Sequence, residues 1–421
     1  MNKYKLKGLS NKIPLVVIPT KGAATATVLV IVKTGSKYEN RQTSGLSHFL
    51  EHMFFKGTKK HPTTLSLSSA LDILGGEYNA FTSKEYTGFW VKVASAKLGR
   101  ALEIVSDMLL ASRFEEAEIE RERGVIIEEI NMYEDNPLMH IEDVFESCLY
   151  GDSPAGWDTI GTKDNILRFK RQDFLDYMSS QYGSRSIKLV LAGAVRDADR
   201  RTAEKLFAGF PDNPWQASAP TPDKQATPQI KSAYKKIDQT NLSLGVRAYP
   251  VGHPEEIRVK LLSIILGGSM SSRLFINLRE RNGLAYYVRT LSETYSDAGY
   301  LTTQAGVPRT KTAAAIKIIM DEYRLISQTL IPDKELKRAK DMLQGKSLLQ
   351  LEATDNLANW YGRQLVMRRD IMTPGEFMHR IKSVTPAQLR LTAKKIFIDK
   401  GLNLALIGRE KADKFKSLLK F

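Results

Sequence analysis

Three things are scarce in this chain. Cysteine occurs once, at Cys148, so no internal disulfide can form and nothing marks an oxidising compartment. That cysteine lies in a helical pattern beside Val144 and Phe145, where a lone thiol serves as a small buried hydrophobe. Long apolar runs are missing as well: no stretch reaches the ~18 residues of a membrane span. Met1 to Ile13 has lysines but neither the apolar core of a secretory signal nor the Arg- and Ser-rich character of a transit peptide, which leads to the expectation of a cytoplasmic protein with no membrane span. Histidine is the third scarcity, with 6 in 421 residues.

Charge, by contrast, is plentiful and one-sided, with a net +15 that raises the question of a nucleic-acid partner. Its distribution answers against one. The basic residues are spread along the chain with no arginine-rich helix or aromatic-interleaved motif, while Glu115 to Asp135 is strongly acidic. A hydrophobic content of 42% in 421 residues describes a globular protein of two or more domains, since single cores stop growing near ~250–300 residues.

Two of the six histidines share one helical turn, in Ser47-His48-Phe49-Leu50-Glu51-His52. At ~100° per residue, Leu46, Phe49, Leu50 and Met53 fall on one side of a helix and His48, Glu51 and His52 on the other. Imidazoles at i and i+4 are close enough to bind one Zn²⁺, and the carboxylate between them can reach water on the same metal. Ser44 is a candidate cap for this helix and Gly57 for its left-handed stop. A third ligand must come from elsewhere, and His61, His140, His253 and His379 have no paired spacing.

Residues 25–34 read as a buried strand, 64–74 as a short helix ended by Gly75-Gly76, and Glu77–Phe81 and Glu85–Ala94 as strands. Helices follow at about 96–110, 115–133, 138–149, 171–181 and 198–209, with a strand at 186–194. The pattern is α+β, with an antiparallel-rich sheet packed with helices. On the charged helix, Glu122 and Glu129 are seven residues apart and share a face, whereas Glu128 points away. Seven residues span ~10 Å, so only one of the pair can bind the metal and the other is free to hold an imidazole in its tautomer. Gly124, costly by ~1 kcal/mol in a helix interior, suggests a close backbone approach there.

A Pro-, Ala- and Ser-rich stretch around 213–229 reads as a linker between domains 1–212 and 230–421. The second domain begins with a strand at Leu242–Ala248 and a helix from about Pro254. Helices near 311–328, 333–351, 355–368, 374–383 and 386–396 and a strand at Leu402–Ile407 complete it. Its order loosely repeats the first, which gives two domains of similar fold, but nothing in it repeats the ligand set.

The chain resembles the pitrilysin-type inverzincin metallopeptidases, and most closely the short-chain branch that includes the mitochondrial processing peptidase beta subunit and its bacterial relatives. The His-x-x-Glu-His run, the 76-residue spacer from 53 to 128 before Glu129, and Glu122 seven residues ahead of it all match that family. So do Gly75-Gly76-Glu77-Tyr78-Asn79-Ala80-Phe81-Thr82 and, downstream, Gly267-Gly268-Ser269-Met270-Ser271-Ser272-Arg273-Leu274-Phe275, Leu278-Arg279-Glu280 and Gly283-Leu284-Ala285-Tyr286. The resemblance implies one Zn²⁺ per chain on His48, His52 and Glu129, with Glu51 as general base and Glu122 supporting. It implies peptide substrates lying along Asn79 and Ala80, contacted by Arg279 and Tyr286. It also implies a homodimer or a heterodimer with a related chain, enclosing a chamber in which the second domain of one subunit serves the zinc of the other.

The expectation is therefore a zinc-dependent endopeptidase acting on extended or unfolded peptides. Two alternatives share its fold: a subunit that needs a different, inactive partner, and a scaffold that has lost catalysis. A bacterial-type cytoplasmic enzyme and a presequence processor of the mitochondrial matrix are variants of the main reading.

Overall fold

A computed structural model describes residues 4–222, 224–368 and 370–421 as an α+β chain in two compact units. The first comprises residues 1–130, 158–219 and 348–373, and the second 131–157, 220–347 and 374–421. Along the chain run β1 (Lys5–Gly8), β2 (Pro14–Pro19), β3 (Thr25–Val32), α1 (Leu46–Met53), α2 (Thr64–Asp72), β4 (Glu77–Thr82), β5 (Thr87–Ala94), α3 (Leu98–Ala111) and α4 (Glu116–Asp135). There follow α5 (Pro137–Tyr150), α6 (Lys163–Arg168), α7 (Arg171–Gln181), β6 (Ile187–Gly193), α8 (Asp197–Phe207), β7 (Gln229–Tyr234), β8 (Gln239–Ala248) and α9 (Glu256–Gly267). The remainder is β9 (Tyr287–Thr294), β10 (Gly299–Pro308), α10 (Thr312–Gln328), α11 (Asp333–Gln350), α12 (Thr354–Met367), α13 (Pro374–Ser383), α14 (Pro386–Ile396) and β11 (Leu402–Gly408).

The first unit is built on a six-stranded sheet in the order β1-β2-β6-β3-β5-β4, antiparallel except for the parallel pair β2 and β6. Its centre is β3, a β-branched run buried on both faces. One face carries Val28, Val30, Leu189 and Leu191 into a core with Phe49, Leu50, Met53, Leu102, Val105 and Phe174 from α1, α3 and α7. On the opposite face Val16, Ile18, Leu29, Val190 and Ala192 meet Leu357, Ala358 and Tyr361 of α12. Gly362 lets α12 lie close to the sheet, since a Cβ would come within 2.8 Å of the end of the Leu29 side chain. The strand expected from Glu85 begins at Thr87, because Ser83–Tyr86 closes the β4–β5 turn through Ser83 N–H to Tyr86 O at 2.9 Å.

The second unit has a five-stranded sheet in the order β7-β11-β8-β10-β9, again antiparallel but for one parallel pair, β11 and β7. Ile141, Val144, Phe145 and Leu149 of α5 cover Tyr300, Ala405 and Ile407 on one face. The alternate residues of β10 face the other way, and there the Tyr323 hydroxyl of α10 donates to the Leu244 carbonyl and bonds the Thr303 hydroxyl. Asn136 and Pro137 start α5 at N-cap and N1, and Cys148 is buried in it as expected. Burial pushes its thiol up to about 12, which leaves it unreactive.

These units differ from the contiguous division at 212 and 230 by two segments. Residues 131–157, with α5, lie with the second sheet, and residues 348–373, with α12, lie with the first. Each helix has an apolar face that suits either sheet, so position in the sequence does not reveal which one it covers. Strands β7, β9 and β10 and a π-helical turn at Phe275–Arg281 also lie beyond the sequence reading.

Candidate metal centre

Helix α1 buries Leu46, Phe49, Leu50 and Met53 completely, which leaves His48, Glu51 and His52 on its half-exposed side. Phe49 packs edge-on against Phe174 at 5.0 Å, and Phe54, just past the helix, packs against Phe89 at 5.0 Å. The ligand face is thus set by an aromatic core beneath it. The expected cap, Ser44, does not act. Gly45 is the N-cap, with φ 97° and no side chain, and the hydrogen bonds are supplied by the carboxylate of Glu39. Gly57 has the expected left-handed φ, 123°, in the turn after the helix.

Helix α4 is held opposite by Arg123, whose guanidinium donates to the carbonyls of Ile166 and Phe169. It presents Glu122 and Glu129 on the face toward α1, while Glu128 lies on the exposed side. Glu129 Oε2 is 3.8 Å from His48 Nε2 and 3.5 Å from His52 Nε2. His48, His52 and Glu129 form the one metal-competent cluster among the described residues, with one donor atom from each within 4.8 Å of the others. Glu122 lies one step back, its Oε1 2.8 Å from His52 Nδ1 and its other oxygen bridged to Lys56. Of the two alternatives that the seven-residue spacing leaves open, Glu129 is the one at the donor cluster. Gly124 does not meet a close backbone: a Cβ there would touch nothing within 4 Å, and the residue is exposed.

The donor chemistry fits a zinc-like ion. Burial, reinforced by His52, pushes the His48 imidazole down to about 3, so it is a neutral lone-pair donor at ordinary pH. Its Nδ1 is buried without a partner and its Nε2 faces the cluster. Burial also opposes charge on His52, but the Glu122 hydrogen bond and the nearby carboxylates hold its pKa above the usual value. That bond to Nδ1 leaves Nε2 directed at Glu129, the arrangement by which outer carboxylates orient ligating histidines. Glu122 is held below the usual carboxylate range: burial raises it, but the bonds from His52 and Lys56 outweigh that. Two imidazoles and a carboxylate suit Zn²⁺ and leave a position open, as catalytic sites do.

Glu51 receives a hydrogen bond of 2.6 Å from Thr82 Oγ1, on the edge strand β4. Burial raises its pKa and Glu129 adds to the rise, offset in part by Thr82 and His52. A carboxylate tuned upward beside a donor cluster is suited to carrying a proton. Asn79 and Ala80 lie on the same edge strand, Asn79 exposed and Ala80 buried, and the Ala80 N–H donates to Asn79 Oδ1 at 2.9 Å. Arg279 and Tyr286 belong to the second unit, where the guanidinium lies 5.3 Å over the Tyr286 ring and 4.9 Å over that of Phe275. Sequence reasoning missed Glu39, Lys56 and Thr82 as supports, because contacts between distant elements leave no periodic signal. Lys56 alone could have been found, one turn beyond His52.

Residues 15–163 match the family model described as insulinase (peptidase family M16), and residues 168–343 the one described as peptidase M16 inactive domain. An uncharacterised zinc protease of Bacillus subtilis is 32% identical over 379 residues, which is 90% of this chain and 92% of that one. The chain belongs to peptidase family M16. Another M16 relative, the mitochondrial-processing peptidase subunit beta of Bos taurus, is 30% identical across 92% of this chain and 81% of its own length. A crystal structure of a protease from Helicobacter pylori shares the fold with a TM-score of 0.91 at 23% identity, over 97% of this chain and all of that one. The inactive-domain match falls on the half without a ligand set, and the insulinase match on the half that has it. Relatives named as zinc proteases make zinc the metal of this family. Among the described residues no helix is long and apolar enough to cross a membrane.

Proposed function

We propose that this chain is a zinc endopeptidase that hydrolyses extended or unfolded peptides, with one Zn²⁺ on His48, His52 and Glu129. The observation that carries the reading is the convergence of those three donors beside Glu51. When bound, zinc supplies a Lewis acid for the scissile carbonyl and makes water acidic enough to attack near neutral pH. Glu51 is placed to take a proton from the attacking water and would return it to the leaving amine, so that bond cleavage and proton return balance. Thr82 keeps the Glu51 carboxylate in place, and Glu122 keeps the His52 tautomer.

The substrate adds as a strand along β4, with Asn79 and Ala80 on the receiving edge, a mode that reads backbone more than sequence. Arg279 and Tyr286 serve the zinc of a second subunit in a dimer that encloses the substrate. Tyr286 is 79% exposed and Arg279 stacks on it, which suits a surface awaiting an occupant. The bovine relative is named as a subunit, and that favours a second reading in which the partner is a different chain. Relatives named as zinc proteases occur in bacteria, and we propose a bacterial cytoplasmic location for this chain.

The test is cleavage of a mixed set of quenched peptides of ~10–30 residues by the purified protein, beside Glu51→Gln and a chelator-treated sample. Cleavage lost in both, with zinc retained in Glu51→Gln, is the expected result. Full activity in Glu51→Gln would remove the general base from this account. A wild-type chain that holds zinc and cleaves nothing would point to the heteromeric reading.

A further inference from the structure

The start of α1 is unusual in needing a cap that its own residues cannot provide. Gly45 is at N-cap with φ 97°, and a Cβ there would lie 2.7 Å from the Ile160 carbonyl, so glycine is required and no side chain is available at that position. Ser44 precedes the N-cap and supplies no side-chain cap; its carbonyl accepts from Asn165 Nδ2 at 2.9 Å. Glu39 fills the gap from six residues upstream, one oxygen accepting the Gly45 N–H at 2.8 Å and the other the Ser47 N–H at 2.6 Å. One carboxylate thus accepts the N–H groups of N-cap and N2, two of the donors that the helix itself leaves unpaired. The next residue after Ser47 is the ligand His48.

The loop that carries Glu39 is itself clamped. Gly35 approaches the β4–β5 turn so closely that a Cβ would lie 2.1 Å from the Ser83 carbonyl. Ser36 and Lys37 donate their N–H groups to Ser83 and Lys84 at 3.1 and 2.8 Å, and the Lys37 ammonium meets Glu85 at 2.9 Å with both side chains buried. On the far side, Ser47 Oγ bonds Tyr177 at 2.7 Å, and Tyr177 bonds Thr34 at 3.2 Å. The edge strand that bears Thr82 and the helix that bears His48 and Glu51 are thus both referred to one short loop. A buried acid is costly: burial pushes Glu39 up to about 8 against the pull of the Ser47 and Gly45 N–H groups and Lys84. An uncharged Asn or Ser side chain would cap at less cost.

We propose that Glu39 is a positioning residue of the metal centre, fixing the first turn of α1 against the β4–β5 hairpin and so setting the direction in which His48 faces Glu129. This rests on the metal-centre reading above. Above pH about 8, where Glu39 is ionised, Glu39→Gln keeps the size of the side chain but turns one acceptor into a donor facing an N–H group, and Glu39→Asp keeps both acceptors on a shorter arm, so the comparison is made there. Zinc affinity is measured by competition with a chromophoric chelator on the full chain, together with amide exchange at 45–49 in the zinc-free form. Expected are zinc binding about tenfold weaker in Glu39→Gln, within the range for changes behind metal ligands, faster exchange at 45–49, and partial recovery in Glu39→Asp. Where the chain cleaves peptide, kcat falls with KM unchanged. Equal zinc affinity in wild type and Glu39→Gln overturns the proposal, even if thermal stability drops, since that is a structural cap alone. A wild-type chain that takes no zinc removes the metal-centre reading, and this one with it.

Discussion

The two sheets are one frame used twice. β2, β6, β3, β5 and β4 in the first unit correspond in order and direction to β7, β11, β8, β10 and β9 in the second, including the single parallel pair. After the hairpin each frame continues through a 3₁₀ turn into a long helix, Ser95–Lys97 into α3 and Arg309–Lys311 into α10. Where the first frame places α1 with its histidines, the second places α9, whose buried apolar side chains are Ile257, Val259, Leu261, Leu262, Ile265 and Leu266 and which carries no histidine. On the function proposed above, the frame does not create the chemistry; four side chains on two helices do. A fold likeness therefore supports an active site only where the ligand set is present.

Making the first frame as silent as the second is the most severe test. His52→Ala is expected to reduce bound zinc from one per chain to none, measured by metal analysis after dialysis, while His253→Gln and His379→Gln in the second unit leave it at one. Zinc that survives His52→Ala but is lost in His253→Gln or His379→Gln would mean that the second frame is not silent. A milder step is Glu122→Gln, which frees His52 Nδ1 without removing a ligand and is expected to weaken zinc ~10–100-fold by chelator competition.

A third test uses matching strands. Lys188 is the second residue of β6, and Asn403 is the second residue of β11. Burial, with repulsion from Lys33, pushes the Lys188 ammonium down from about 10.5 to about 8. Below pH 8 both folded and unfolded chains hold the proton, and the folded state bears the whole penalty. Between about 8 and 10.5 the folded chain sheds it first, so stability rises with pH across that window. Lys188→Met is expected to flatten this rise and to stabilise the protein at pH 7, read from denaturant midpoints. The smallest effect concerns α4, where Gly124→Ala meets open space and is expected to stabilise by ~1 kcal/mol with zinc binding unchanged.

Much of this was legible in advance, for physical reasons that can be named. The period of α1 separated ligands from core, and the seven-residue spacing put Glu122 and Glu129 on one face, because both signals live within a single helix. The α4 glycine misled, since helix propensity gives its cost and not its surroundings. Glu39 left no trace, because a carboxylate in a loop reaching two backbone N–H groups obeys no period. Strands β9 and β10 were hidden by buried polar residues: Thr290 and Thr303 bond each other, Thr302 bonds Ser243, and Gln304 accepts from Arg289.

The exchanged helices bear on how the chain is made. Val16, Ile18, Leu29, Val190 and Ala192 take their buried partners Leu357, Ala358 and Tyr361 from α12. On a ribosome the first sheet is complete at β6, yet that face lacks α12 while about 160 more residues emerge, several seconds or more at ~5–20 residues per second. During that interval the nascent chain offers a chaperone an apolar surface. A gene cut between residues 212 and 230 would yield two products, each missing a helix that the other encodes.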